Sequence, residues 1–269
     1  MDTAGLLRYQ RQIALPGVGV RGQERLRAAA VLVAGAGALG GPAALYLAAA
    51  GVGRIGLYDP DRVAVSNLQR QILYGTADVG RLKVEAARER LAALNPDVRV
   101  EAEAVRLEAA NAAALAAAYD LVLDATDDFP TRYLLNDVCY AAGKPLVQGA
   151  VGGYWGQAAV YASPGPCYRC LYPEAPPAAA APACDGGAVL GPVPAVVSGL
   201  MATLALNRLL GLGAPDTGRL WWFDARSLEW TGLAFGRRAG CDHGRSSAVA
   251  PVRASAREEE PRWPGAAFS

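Results

Sequence analysis

Residues 31–51 read VLVAGAGALGGPAALYLAAAG. An apolar, β-branched run leads into Gly35-Ala36-Gly37-Ala38-Leu39-Gly40, and an Ala/Leu-rich run follows. A G-x-G-x-x-G set between a strand and a helix restricts the fold more than any other stretch of this chain. It marks the first turn of a doubly wound α/β unit, where a nucleotide lays its phosphates on a helix N-terminus. Gly35 permits the turn, Gly37 lets a phosphate or ribose approach the backbone, and Gly40 lets helix and strand pack closely. Alone, the motif also fits a tight strand–helix turn that holds no ligand.

The flanking sequence supports the larger pattern. GRIGLYDPD (53–61) reads as a second strand ending in two carboxylates, and RLKVEAARERLAAL (81–94) has helical spacing and stops before Asn95-Pro96. DVRVEAEAV (97–105) alternates like a strand, and NAAALAAAYD is helical. LVLDATDD (121–128) is an apolar strand ending in acids, and TRYLLNDVCYAAG is a helix closing at Gly143. This alternation over 28–148 predicts a Rossmann-like, doubly wound, mostly parallel sheet with helices on both faces. Strand-like runs at 145–162 and 218–235, around one helix at 193–210, predict antiparallel strands extending the same sheet in the C-terminal half. One folding unit is expected over 1–244, with a nucleotide-binding part at 28–148, a second part at 149–244 and a crossover loop at 171–190. The segment PEAPPAAAAPAC (173–184) is low-complexity, and 245–269 has no period and is expected to be disordered.

Composition narrows the function. Net charge is +1, and no basic face stands out, which argues against a nucleic-acid partner. No apolar run reaches a membrane span without Gly, Pro or charge interrupting it, and the N-terminus shows no signal pattern. Five cysteines, an odd number, fit reduced thiols in the cytoplasm better than a disulfide framework. The single histidine, His243, makes a His-based triad a poor expectation, and Lys83 and Lys144 are the only lysines among 26 Lys and Arg residues.

Asp59, at the end of the second strand, suits a bidentate hydrogen bond to ribose hydroxyls, with Asp61 the neighbouring alternative. To this point NAD is allowed. SNLQRQ (66–71) then places Ser66, Asn67, Gln69 and Arg70 just beyond the acid, and Lys83 opens the next helix. A nicotinamide enzyme needs no such cationic cluster. A triphosphate does, because cleavage between its α and β phosphates requires the charge of departing pyrophosphate to be neutralised. Asp127, following the apolar strand with Asp128 beside it, points to the same sheet edge, where a carboxylate holds magnesium against phosphates.

RYQRQIALPGVG, GAGALG, LYDPD, SNLQRQ, VGRLKVEAA, LDATDD and CYRC occur in the order seen in the ubiquitin-activating-enzyme-like superfamily. Over residues 8–243 the chain resembles its bacterial branch of MoeB, ThiF and HesA proteins. The resemblance implies ATP-dependent adenylation of a small ubiquitin-like sulfur-carrier protein ending in Gly-Gly, docked on the 149–244 part. It implies that Gly37 and Gly40 line the nucleotide, Asp59 binds ribose, Asn67, Arg70 and Lys83 contact phosphates, and Asp127 coordinates magnesium. It also implies a homodimer in which Arg11 of RYQRQ reaches the phosphates of the other subunit's ATP. Adenylation needs no general base, since the attacking carboxylate is already ionised at neutral pH.

In relatives, a C-x-x-C such as Cys167-Tyr168-Arg169-Cys170 is paired with a second one to make a Cys₄ zinc site. Here the second half reads Cys241-Asp242-His243-Gly244. Cys167, Cys170 and Cys241 remain, and His243 is the candidate fourth ligand of a Cys₃His site; metal loss, a ligand from elsewhere and a redox C-x-x-C are the alternatives. Cys184 aligns with a loop cysteine that thiamine-type relatives link covalently to the carrier, and it also reads as an exposed thiol without function. Cys139 reads as core. Asp128 stands where relatives carry Asn, adding a negative charge near the triphosphate. No rhodanese domain follows, so a separate sulfur donor, a cysteine desulfurase or rhodanese, is expected. The competing readings are a catalytically weakened nucleotide-binding scaffold and a nicotinamide oxidoreductase.

Overall fold

A computed structural model describes residues 1–176, 188–213 and 217–241. Two N-terminal helices, α1 (Thr3–Ile13) and α2 (Gly19–Ala28), precede β1 (Ala30–Ala34), α3 (Gly40–Ala49) and β2 (Arg54–Tyr58). Then come α4 (Lys83–Leu94), β3 (Arg99–Glu103), α5 (Ala112–Ala117), β4 (Leu121–Asp124) and α6 (Phe129–Ala141). The second half adds β5 (Leu146–Gly152), β6 (Trp155–Tyr161), α7 (Tyr168–Leu171), α8 (Pro192–Leu210), β7 (Arg219–Asp224) and β8 (Glu229–Ala234).

The strands form one eight-stranded sheet in the order β3-β2-β1-β4-β5-β6-β7-β8. β3 through β5 in that order run parallel, and β5 through β8 pair antiparallel, as the sequence pattern predicts. β1 shows why the parallel part reads as an unbroken apolar run. Val31 and Val33 enter a core beneath α3, α4 and α8, while Ala30, Leu32 and Ala34 enter a second core beneath α5 and α6. A strand buried on both faces has no polar side to alternate with.

The helix α8 is long and apolar enough to cross a membrane by length and composition, but half of it is packed inside the protein. Val197, Met201 and Ala205 sit in the core with Val147 and Val160. Ser198 Oγ donates to the Leu39 carbonyl at 2.6 Å, tying α8 to the start of α3.

The expected strand 121–128 stops at Asp124. The Asp124 side chain ends it: Oδ1 accepts from both Thr126 N (2.9 Å) and Thr126 Oγ1 (2.6 Å), folding the chain into a local turn. Asp127 therefore lies on a loop, not on the strand. The next helix starts at Phe129, ahead of the TRYLL run, because Asp128 caps it: Oδ1 accepts from Thr131 N at 2.8 Å.

Between β2 and α4 the chain makes two short 3-10 turns, Val65–Asn67 and Thr76–Asp78. Asp78, buried at 5 % exposure, organises this connection. Its Oδ2 accepts from Gly75 N at 2.8 Å, and Arg81 and Arg90 lie 3.1 and 3.4 Å from its carboxylate. The Gly75 N–H is the leading cause that holds its carboxyl below the ordinary carboxylate range, against burial and with help from the two guanidinium groups. A depressed carboxyl stabilises the fold above its unfolded-state pKa and loses that contribution as pH falls through its folded value. Asp78→Ala is expected to cost about 1.5–3 kcal/mol at neutral pH, the range for hydrogen bonds to a charged group, in urea unfolding. The difference between variant and parent should shrink below roughly pH 4.

Candidate active site

The strand order reverses between β1 and β4, and the crevice at that switch point is where open α/β sheets bind ligands. Here it opens into a cavity of about 510 Å³. The loop after β1 forms one wall and the loop after β4 the other, and they touch. Gly35 has φ +91°, and a Cβ there would lie 2.8 Å from the Ala125 carbonyl. A Cβ on Gly40 would lie 1.8 Å from the Gly35 carbonyl, so both positions are restricted to glycine by backbone approach. Gly37 differs. A Cβ there would meet only Gln71 Nε2 at 3.6 Å, so the space above it belongs to the cavity.

The glycine loop is held at Ala36. Its N–H donates to Asp59 Oδ2 at 2.7 Å, and its carbonyl accepts from Tyr74 Oη at 2.7 Å. Asp59 Oδ1 accepts from Asp61 N at 2.8 Å. Burial is the main influence on the Asp59 carboxyl and pushes it above the ordinary range, opposed first by the Lys83 charge. Lys83, itself buried, lies 3.8 Å from Asp59 Oδ2 and bonds Asp61 Oδ2 at 2.8 Å. The first residue of α4 thus presents an ammonium to two carboxylates and to the cavity together.

Arg70 also lines the cavity; its Nη1 donates to the Ser66 carbonyl at 2.9 Å. Asp127 and Asp128 line the opposite wall with Arg132. Asp128 is occupied as the α6 cap, with both oxygens on Thr131 (2.8 and 2.9 Å) and Arg106 at 3.9 Å. An Asn in this position would cap the helix equally well. Among the described residues the lining therefore carries four acids (Asp59, Asp61, Asp127, Asp128) and four cations (Arg70, Lys83, Arg106, Arg132). Gln71, at the same wall, leaves its buried Oε1 without a hydrogen-bond partner, which suits a ligand group.

The cavity lining brings together Gly35, Gly37, Asp59, Arg70, Lys83, Asp127 and Asp128 from the sequence-derived set. Gly40 stands behind it as a packing glycine. Ser66, Asn67 and Gln69 do not line it. The Asn67 Oδ1 accepts from Ala64 N at 3.0 Å, and the Ser66 carbonyl holds Arg70, so these residues shape the turn that delivers Arg70. Arg11 is exposed on α1 and outside the cavity of its own chain. The α1 helix is fixed by Tyr9, whose hydroxyl accepts from the buried Asn95 Nδ2 at 2.7 Å.

Residues that sequence reasoning missed are Arg132, Arg106, Gln71 and Asp124. Arg132 lies within the helical run TRYLLND and carries no local motif. Its Nε and Nη2 both donate to the Thr126 carbonyl (3.3 and 3.0 Å), and its guanidinium lies 5.2 Å from the Phe129 ring centroid. The fully buried Asp124 is pushed above the ordinary carboxylate range by burial, with the Arg132 charge the largest opposing influence.

Away from the cavity, the sulfur atoms of Cys167, Cys170 and Cys241 lie within 4.8 Å of one another, and Cys167 and Cys241 are 4.0 Å apart. Burial pushes the Cys167 thiol up to about 12. Burial also opposes the Cys170 thiolate, but hydrogen bonds from the Arg238 and Cys167 backbone outweigh it and lower that thiol. Three convergent soft donors fit a zinc ion. Cys139 is a buried core thiol, as its sequence setting suggests. His243, Gly244 and Cys184 lie outside the described residues, as do most of 171–190 and all of 245–269.

Fold and site define a doubly wound α/β protein with a crevice of paired cations and carboxylates at its switch point, a class that binds nucleotides there. The chain belongs to the ThiF family, whose pattern matches residues 9–243, and so bears out the resemblance read from its motifs. It is 53% identical over 240 residues to the sulfur carrier protein adenylyltransferase of Thermus thermophilus, covering 87% of this chain and 89% of that protein. It is 45% identical over 241 residues to the SAMP-activating enzyme E1 of Haloferax volcanii, covering 90% and 89%. The probable adenylyltransferase/sulfurtransferase MoeZ of Mycobacterium tuberculosis is 48% identical over 228 residues, covering 83% of this chain, and this chain spans 58% of its length. Among solved structures, E. coli MccB with ATP shares the fold with a TM-score of 0.73 at 20% identity, over 89% of this chain and 75% of that one.

The two glycines make separable predictions. Gly37→Val is expected to leave the melting temperature close to the parent value while weakening ATP binding by at least about tenfold, 1.4 kcal/mol, in calorimetric titration. Gly40→Ala should instead destabilise the fold itself, since its Cβ overlaps backbone.

Proposed function

We propose that this protein is an ATP-dependent adenylyltransferase that activates the C-terminal Gly-Gly carboxylate of a small ubiquitin-like sulfur-carrier protein. The observation that carries this reading is the convergence of Arg70, Lys83 and Asp127 on one glycine-loop cavity. A carboxylate oxygen of the carrier attacks the α-phosphorus of ATP, the bond from that phosphorus to the β-phosphate bridging oxygen breaks, and pyrophosphate leaves with the electron pair. The products are the carrier acyl-adenylate and pyrophosphate. No proton need be moved, which agrees with the lining, where no histidine stands among the described residues.

In this reading Asp59 accepts from the ribose hydroxyls, and the Gly35–Gly40 turn offers backbone N–H groups to phosphate. Lys83 has three donors and one strong partner in Asp61, so it can add a phosphate oxygen without abandoning the acids. Arg70 supplies a second cation to the departing pyrophosphate. Magnesium supplies further neutralisation of that charge, and the Asp127 carboxylate, a hard oxygen donor on the cavity wall, is the residue that would hold it. Arg11 completes the site of a second copy in a homodimer. The reading is supported by relatives at 45–53% identity that are named as adenylyltransferases or as an activating enzyme. Sulfur then comes from a separate donor, a cysteine desulfurase or rhodanese. Zinc is held by Cys167, Cys170 and Cys241, with His243 the proposed fourth ligand.

Arg70→Ala and Lys83→Ala are each expected to lower ATP–pyrophosphate exchange by about 10²-fold, the cost of losing one preorganised charge contact. The measurement uses purified chain with a panel of Gly-Gly-ended carriers, and near-parent exchange in both variants overturns the role assignment. For the thiol cluster, metal analysis of the purified protein should find about one zinc per chain, as a Cys₃-plus-one site holds. Cys167→Ser should remove the zinc and lower the melting temperature.

A further inference from the structure

The segment RYQRQ (8–12) divides by where its side chains go. Arg8 Nη1 donates at 3.0 Å to the carbonyl of Leu94, the last residue of α4. The buried Tyr9 hydroxyl accepts from Asn95 Nδ2 at 2.7 Å, and the same nitrogen donates to the Ala48 carbonyl, in the last turn of α3, at 2.7 Å. Gln12 Nε2 donates to Gln23 Oε1 at 2.6 Å and to the carbonyl of Ala50, the residue that closes α3, at 3.1 Å. Gln23, fully buried on α2, donates to that carbonyl as well, at 2.9 Å. Gln10 and Arg11 remain, both exposed. The Arg11 side chain has no hydrogen bond, ion pair or ring contact among the described residues.

The last carbonyls of a helix lack donors of their own. Side chains of α1, α2 and Asn95 supply them here, so α1 is seated on the far ends of α3 and α4. The seat fits closely. Gly51, just beyond α3, has φ +84°, and a Cβ there would lie 2.7 Å from Tyr9 Oη and 2.8 Å from Gln23 Nε2. The near ends of the same two helices meet the nucleotide cavity. The turn into α3 gives Gly37, Ala38 and Leu39 to its lining, and α4 opens with Lys83. Each helix is a rod of roughly 15–18 Å between those ends.

We propose, resting on the reading that Arg11 serves the site of a second copy, that Tyr9 and Gln12 are positioning residues for Arg11. They fix α1 to the two helices that carry the glycine turn and Lys83. The cation lent to the second copy is thereby held in register with the lender's own cavity. A long side chain on a loosely seated helix would lose the preorganisation that makes a charge contact effective. Leu7, one turn before Arg11 on the same outward face of α1, is 63 % exposed, so apolar surface flanks the uncommitted cation.

The test uses mixed dimers purified through two different affinity tags. A donor chain carries Lys83→Ala, which disables its own cavity and keeps its Arg11. An acceptor chain carries Arg11→Ala, which keeps its own cavity and lends nothing. ATP–pyrophosphate exchange with a Gly-Gly-ended carrier should be low in either homodimer and recover in the mixed pair, which has one complete site. Gln12→Ala is then added to one chain at a time. In the donor it should lower the recovered kcat by about tenfold or more, as misplacement of a reacting-site group does. In the acceptor, whose Arg11 is already gone, kcat should stay within about twofold of the unmodified pair. Tyr9→Phe should show the same asymmetry. A purely structural role for Gln12 would act on its own chain's α3 and lower the acceptor's rate as well. Equal loss from either chain, or no loss from the donor, therefore overturns the proposal and leaves the cross-subunit reading standing. No recovery in a mixed dimer that both tags confirm overturns the cross-subunit reading and the proposal with it. Calorimetric titration of the same pairs with ATP needs no carrier and should show the same asymmetry in affinity. A parent that exchanges no pyrophosphate would remove the adenylation reading, and the ATP titration would still decide this one.

Discussion

Two backbone turns meet at Gly35 and Ala125, and the cavity exists because they do. No side chain fits between them. The contact brings the loop after β1 against the loop after β4 at the point where strand order reverses. Ala36 is then clamped by Asp59 and Tyr74 from the neighbouring strand end and the loop beyond it. Three segments distant in sequence are thus joined around one peptide unit. That arrangement aims Asp59, Lys83 and the turn bearing Asp127 at a common space. Loops carry the chemistry here, and the doubly buried strand β1 gives them a rigid base.

Lys83 shows how the site tolerates a buried ammonium. An unpaired charge at its depth would cost several kcal/mol in desolvation. Asp61 at 2.8 Å and Asp59 at 3.8 Å offset that cost while leaving donors for a ligand. The pairing works in both directions, because the same ammonium opposes the burial that raises the Asp59 carboxyl. Asp128, which adds charge at the cavity rim, is engaged by the first turn of α6. That engagement weakens the case for a nonfunctional scaffold, which rested in part on repulsion at this position.

What could be read in the sequence was local. The glycine turn, Asp59 and the SNLQRQ–Lys83 segment are short motifs whose residues act within a few positions of one another, and their places were legible. The parallel-then-antiparallel order of the sheet was legible too, from the change in alternation near residue 148. Two kinds of information were not. The run LVLDATDD reads as a strand to its end because its residues are apolar and acidic, whereas the Asp124 side chain folds the backbone over at Thr126. Arg132 carries its meaning only across space: it lies in an ordinary helical pattern, and its guanidinium holds the Thr126 carbonyl at the cavity wall. The resemblance implies a phosphate contact for Asn67; in the structure its Oδ1 accepts from Ala64 N, and neither Asn67 nor Gln69 lines the cavity.

The equal number of acids and cations among the described residues around the cavity has a kinetic consequence. Beyond about 8 Å, the screening length at physiological ionic strength, such a crevice projects little net field. A nucleotide is not drawn in from a distance as it would be by a basic funnel. Discrimination is deferred to contact, where individual charges separate and a polyphosphate accompanied by its own counterion meets cations and carboxylates each within reach. Entry should accordingly depend little on salt, even though every interaction made after entry is electrostatic.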